Sequence, residues 1–302
     1  MKRISTALKA TVSIAILLFL FRKANLTHGV QYLNQVRYSF ALLAVVLIVL
    51  GQIARAHRLA IMVFGGEACK NLWQTMRIQM ISFLPGVISP AKVGEAAKIY
   101  MLQTRFDVPV ARGLVCFVGE RVLDLLLLGP LAVLGFAVLF RSGLTIHLTP
   151  GWTYTVILVI LAGAVAVAGG LFWARRRGTS MTDVWQTVSP QRLAEAGALT
   201  LVYWTVVFLE VWCFCKASPF DARVWHVALV VPVALLSSMI PITVSGFGLR
   251  EAAFILLLQR PPIGMDYERA LLISLMYAVI GLGVPALMGV LFWLGSKENG
   301  AS

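Results

Sequence analysis

The sequence predicts an all-α, polytopic membrane fold with two inverted-topology repeats, each containing a broken or re-entrant helix pair. Three observations lead there. Of 302 residues, 59% are hydrophobic and only 13% charged, and the mean hydropathy is +0.86, far outside the soluble range. The apolar residues fall in runs of about 20, the length of a membrane span. Finally, SFLPGVISPAKVGEAAKIYML, from Ser82 to Leu102, returns 156 residues later as SMIPITVSGFGLREAAFILLL, from Ser238 to Leu258, with eight of 21 aligned positions identical.

The first apolar run, Ala10 to Phe21, follows Met1-Lys2-Arg3 and imitates a secretory signal. Arg22-Lys23 follow it at once and no small-residue cleavage site appears, so a retained helix over 7–22 is expected. Further full-length helices are expected over 38–60, 112–140, 152–173, 193–216 and 268–294. Ala162, Ala166 and Gly170, spaced by four, suit close helix packing. The whole chain, 1–302, reads as one integral membrane domain, with the repeats in segments 72–105 and 224–259. Each segment can hold two half-helices, hinged at Pro85-Gly86 in the first and at Pro241, Gly246 and Gly248 in the second. Proline removes a backbone donor and clashes with the preceding turn, and such broken backbone at membrane depth must be buried in protein or line a wet cavity.

Orientation follows from the basic residues. If both segments return to the side they came from, 15 Lys and Arg lie inside and 8 outside, while Lys92, Arg121 and Arg250 fall at membrane depth. That bias places the N-terminus in the cytoplasm of a bacterial inner membrane. Arg55, Arg58 and Lys98 are counted there among the inner loop charges. Three spans separate the two segments, so the first dips in from the cytoplasm and the second from outside, the inverted arrangement of many secondary transporters. The formal charge of +13 is spread among the spans, which fits an anionic lipid surface and argues against nucleic acid.

The ionisable residues within apolar sequence are the functional candidates: Lys92, Glu95 and Lys98 in the first repeat, Glu120, Arg121 and Asp124 in the next helix, Glu210, and Arg250-Glu251 in the second repeat. A charge facing lipid at the centre of a span costs about 2.5–3.5 kcal/mol, so these side chains must face inward, find partners or meet water. Arg121 and Asp124, at i,i+3, can pair on one helix face. Glu120 and Asp124, at i,i+4, are like-charged and either share a proton or need an outside cation such as Lys92 or Arg250. A purely structural role, locking broken helices together, is the competing reading. Ser89, Gly94, Ser245, Gly246 and Gly248 allow backbone to approach closely, and free N–H groups at half-helix starts favour an anion. His28, His57, His147 and His226 are scattered, and Cys69, Cys116, Cys213 and Cys215 show no metal spacing, so no metal, cofactor or catalytic constellation is expected.

Pro85-Gly86 followed by Gly94-Glu95, then Glu120-Arg121 with Asp124, then Pro241 and Ser245-Gly246-Phe247-Gly248-Leu249-Arg250-Glu251, resembles the membrane region of bacterial lysylphosphatidylglycerol synthases and their stand-alone flippase-like relatives. The resemblance covers nearly the whole chain in order. It implies a domain with re-entrant segments that moves a lipid between leaflets, in the best-known branch an aminoacylated phosphatidylglycerol. The sequence ends at Ser302 without an aminoacyl-transfer domain, so synthase activity is not carried over and a non-enzymatic transporter is expected. Where the family commonly has a basic residue directly before the glycine-glutamate pair, this chain has Val93, with Lys92 one position earlier.

The expected function is translocation of a lipid with a polar, phosphate-bearing headgroup, a phosphatidylglycerol derivative or a polyprenyl-linked lipid, through a charged cavity between the repeats. Arg250 with Lys92 or Arg121 would meet the phosphate. Glu95, Glu251 and Asp124 would balance those cations or bind a cationic headgroup or a coupling proton. The alternatives are a carrier for a small soluble ion or metabolite, a membrane-embedded lipid-modifying enzyme, and a structural partner protein that needs no cavity.

Overall fold

The computed structural model describes residues 2–140, 189–238, 243 and 246–298, and all regular structure among them is helical. The predicted span 152–173 with its small-residue stripe, the hinge residue Pro241, and the side chain of Lys92 lie outside the described residues. Among the described residues, four helical stretches are long and apolar enough to cross a membrane: Tyr38–Ile88, Val110–Leu139, Pro190–Ala217 and Tyr267–Gly295. Large apolar side chains stand exposed along them, among them Leu42, Leu126, Val133 and Leu291, as a lipid-facing surface requires.

The chain opens with α1 (Lys2–Lys23), a short α2 (Leu26–Asn34) and the long α3 (Tyr38–Phe64). After a single tight turn, Gly65–Glu67, α4 (Ala68–Ile88) folds back along α3, with Ala56 packed on Met76 and Met80. A 3-10 turn, Pro90–Ala96, then leads into α5 (Ala97–Phe106), which folds back along α4. Leu102 packs with Ile78, and the Phe106 ring ends 4.8 Å from that of Phe64. Both ends of this first segment therefore lie at the Phe64 end of α3.

The break in the first segment is displaced from its predicted place. Helix α4 runs through Pro85 and stops at Ser89, which has extended backbone at φ −89° and ψ 145°. The residue before a proline is pushed out of the helical region, and Pro90 then suits the first position of the next helical turn. Pro85 stands in the last turn of α4, offers no N–H to the Ile81 carbonyl, and is followed by only three further helical residues. The glycines beside it serve contact rather than hinging. A Cβ on Gly94 would lie 2.2 Å from the Pro85 carbonyl oxygen, and one on Gly86 would lie 2.5 Å from Glu95 Cγ. Gly94→Ala is therefore expected to destabilise the protein by at least about 1–3 kcal/mol, read as a lower midpoint of thermal unfolding in detergent; an unchanged midpoint contradicts this packing.

Helix α6 spans Val110–Phe140, and α7 spans Pro190–Ala217, opened by Pro190 and by the Ser189 hydroxyl accepting from the Arg192 N–H. Helices α3 and α7 lie antiparallel over their full length: Arg37 N–H donates to the Ala217 carbonyl at 2.9 Å at one end, and Arg58 reaches Thr200 nearer the other. Helix α8 (Val224–Ser237) packs on both α6 and α9 (Leu249–Leu258). Gly246 and Gly248, two predicted hinge positions, have φ of +79° and +88° and form the turn into α9, a conformation other residues adopt only with strain. Helix α10 (Tyr267–Met276) starts where the Tyr267 hydroxyl donates to the Leu20 carbonyl at 2.8 Å, so the exit of the second segment lies at the end of α1 that leads to Arg37.

The expected single helix 268–294 contains a wider π turn, Tyr277–Gly281, before α11 (Gly283–Glu298). Pro285 offers no N–H to the Gly281 carbonyl four residues back and crowds it. The preceding bonds shift by one residue, so that Leu282 N–H donates to the Tyr277 carbonyl at 3.1 Å. The main core gathers around Phe214, Val230, Val231, Phe254 and Ile273, all essentially solvent-free.

Candidate functional site

Seven charged side chains from four elements converge between α3 and α6. Helix α3 contributes Arg55 and Arg58 one turn apart, the 3-10 turn contributes Glu95, α5 contributes Lys98, and α6 contributes Glu120, Arg121 and Asp124. Arg55 Nη2 donates to Glu95 Oε2 at 2.6 Å, and Arg121 Nη2 meets the same oxygen. Arg58 Nη1 donates to Asp124 Oδ1 at 2.7 Å and lies 3.0 Å from Thr200 Oγ1, while its Nη2 stands 3.5 Å from Glu120 Oε1. Lys98 Nζ donates to Glu120 Oε2 and, at 3.2 Å, to Gln79 Oε1. Trp204 Nε1 donates to Asp124 Oδ1 at 3.0 Å. The Arg55 and Arg58 guanidinium carbons each lie 6.0 Å from the centre of the Tyr203 ring.

Charge and exposure are both uneven. Four cations face three carboxylates, leaving the cluster one positive charge in surplus. Arg121 has 24% of its side chain exposed, whereas none of the other six exceeds 6%. Buried ions stay charged only when paired and hydrogen-bonded, and the ladder of pairs meets that condition for all but three atoms: the donors Arg58 Nε and Gln79 Nε2, and the acceptor Glu120 Oε1, 3.5 Å from Arg58 Nη2, have no hydrogen-bond partner among the described residues. Spare donors and a spare positive charge together suit an acceptor-rich anion.

Glu95, Glu120, Arg121 and Asp124 are thus brought together as the sequence suggested, and Arg121 stands 3.8 Å from Asp124 in the expected i,i+3 pair. Among the described residues, the outside cation that Glu120 and Asp124 share is Arg58, and Arg250 is not one of their partners. The inner loop charges of the sequence count, Arg55, Arg58 and Lys98, are buried ion-pair partners. Removing these three from the inner fifteen leaves twelve against eight, so the positive bias keeps its sign. The missed signal was position: Arg55 and Arg58 fall inside the predicted span 38–60, where a solvated loop charge has no place.

The second repeat does not join this cluster. Arg250 donates through Nε to Glu251 Oε1 at 3.0 Å and is 1% exposed, between the rings of Phe247 at 5.1 Å and Tyr277 at 5.2 Å. Glu251 Oε2 accepts from Gly248 N–H at 2.6 Å, capping the first turn of α9. No hydrogen bond or ion pair among the described residues links Arg250 or Glu251 to Glu95, Arg121 or Asp124. Aligned glutamates have diverged in use: Glu95 ties three elements together, and Glu251 serves its own helix.

Two spaces follow one another along α3 from the cluster toward Tyr38. A cavity of about 40 Å³ lies beside Arg55, lined by Gln52, Tyr203, Glu210, Tyr277 and Gly281. Further toward the start of α3, an open apolar groove of about 790 Å³ runs between Tyr38, Leu42 and Val45 on one side and Val279, Val284 and Leu287 on the other. Cluster, cavity and groove thus follow one another along a single helix.

The lysylphosphatidylglycerol synthase transmembrane region, as a protein family, matches residues 6–289, and the chain belongs to that family. No curated protein and no solved structure matches the chain.

Proposed function

We propose that this member of the lysylphosphatidylglycerol synthase transmembrane family is a lipid translocase, not an enzyme, that passes an anionic, phosphate-bearing headgroup between leaflets while the tails stay in lipid. The observation that carries the reading is the buried cluster with one surplus positive charge, spare donors and a single partly exposed cation, Arg121. The apolar groove on the same helix favours a lipid over a small soluble ion or metabolite, because a soluble cargo needs no open apolar wall beside its charged site.

The two repeat segments are read as re-entrant and inverted. Supporting this, the ends of the first lie at the Phe64 end of α3 and the exit of the second lies at the Arg37 end. The twelve-to-eight bias of basic residues supports a cytoplasmic N-terminus. Purified protein in vesicles of phosphatidylglycerol and phosphatidylcholine is expected to speed the transfer of a headgroup-labelled phosphatidylglycerol between leaflets at least tenfold over protein-free vesicles. Equal rates would remove the translocase reading.

A further inference from the structure

Glu210 is a buried carboxylate that neither the cluster nor the Arg250–Glu251 pair uses. It sits on α7, 5% exposed, forms no ion pair with any described residue, and its Oε1 has no hydrogen-bond partner among them. It faces the small cavity beside Arg55. The elements around that cavity bring one charged side chain to it besides Glu210, Arg55. Helix α3 presents Gln52 and Arg55, α4 presents Phe83, α7 itself adds Tyr203, and the π turn adds Tyr277 and the bare backbone of Gly281. Arg55 is held by Glu95 at 2.6 Å, and Arg250, beyond the Tyr277 ring, is held by Glu251.

The cavity wall carries the phenols of Tyr203 and Tyr277 and the Arg55 guanidinium, none of which bonds Glu210 Oε1. Gln52 Oε1, a second buried acceptor on its wall, also lacks a partner among the described residues. Two unsatisfied acceptors face one space of about 40 Å³, enough for a water molecule, and a proton on Glu210 would let it donate to Gln52 Oε1 or to such a water. The wall is also shaped around the carboxyl: a Cβ on Gly281 would come within 2.6 Å of Glu210 Oε1, and this glycine closes the π turn, an irregularity that recurs at functional sites.

We infer that Glu210 is a proton-binding site: its carboxyl carries a proton in this state and donates it within the cavity that adjoins the ion cluster. Release of that proton creates a carboxylate facing the same space as Arg55, which then has two anions to choose between, Glu95 and Glu210. Loss of Arg55 from Glu95 weakens the tie between α3 and the 3-10 turn that also holds Arg121, so proton release and opening of the cluster are linked. This coupling rests on the translocase reading; the proton site itself does not.

Infrared difference spectroscopy of the reconstituted protein tests the site directly. The wild type is expected to show a protonated-carboxyl carbonyl band at neutral pH that disappears in Glu210→Gln. Should that variant lose its helical circular dichroism, Glu210→Asp is expected to shift the band instead. No band in the wild type, as for a carboxylate paired with sodium, or a band indifferent to both substitutions, overturns the inference. For the coupling, lipid transfer by the wild type is expected to differ several-fold between pH gradients of opposite sign, and the Glu210→Gln rate to be the same under both. A gradient-independent wild type overturns the coupling. Absence of any transfer instead removes the translocase reading, with the infrared band still deciding the proton site.

Discussion

Arg58→Leu is expected to lower stability by about 3–5 kcal/mol, the cost of breaking a buried ion pair from one side. Arg58 is solvent-free and serves Asp124 at 2.7 Å, Glu120 at 3.5 Å and Thr200 at 3.0 Å. Without it, Asp124 keeps only the Trp204 indole and Arg121 at 3.8 Å, and Glu120 depends on Lys98 alone. The second substitution decides whether this is a pairing effect or lost packing. Adding Asp124→Leu to Arg58→Leu removes the uncompensated charge, so the double variant is expected to recover about 2 kcal/mol or more of the loss, since apolar replacement of a whole buried pair is often neutral or stabilising. Reversible unfolding in mixed micelles of the four proteins gives the cycle. A double variant less stable than Arg58→Leu would show that the cluster is not held by mutual compensation.

Arg121→Gln is expected to act in the opposite way, on transfer rather than on folding. Its side chain is 24% exposed, so its substitution leaves fewer groups stranded, and Glu95 keeps Arg55 at 2.6 Å. The unfolding midpoint is expected to change little, while transfer of an anionic lipid falls at least tenfold, because the surplus charge and the reachable guanidinium go together. Arg250→Gln serves as the contrast: Arg250 is enclosed and bound to its neighbour Glu251, so that variant loses stability along with any transfer. A tenfold loss in Arg250→Gln at full stability, with Arg121→Gln unaffected, would move the site to the second repeat.

Much of the architecture was legible in the sequence, because span length and proline chemistry act locally. The described helices fall on the predicted spans 7–22, 38–60, 112–140, 193–216 and 268–294 to within a few residues. The break near Pro85 was read from the wrong proline: α4 continues through Pro85 to Ile88, while the residue before Pro90 is forced out of the helix. The π turn at Tyr277 needed the same kind of reasoning about Pro285 and Gly281. The site was half legible. Glu95, Glu120, Arg121 and Asp124 stood out as charges in apolar sequence, but their partners Arg55, Arg58 and Lys98 are cations near helix ends, and near-end cations look like loop charges until packing shows what they face. Glu210 gave no pairing signal in sequence because it has no partner; its meaning comes from the acceptor-lined cavity, which only the packed helices create.

The most direct test is the dependence of transfer on headgroup charge. Rates for two labelled lipids with identical tails, one anionic and one zwitterionic, are compared in vesicles carrying the wild type or Arg121→Gln. The anionic lipid is expected to move at least tenfold faster through the wild type, and the preference to collapse in the variant. Equal wild-type rates for the two lipids, or a preference that survives Arg121→Gln, would contradict a headgroup path at the Arg121 edge of the cluster.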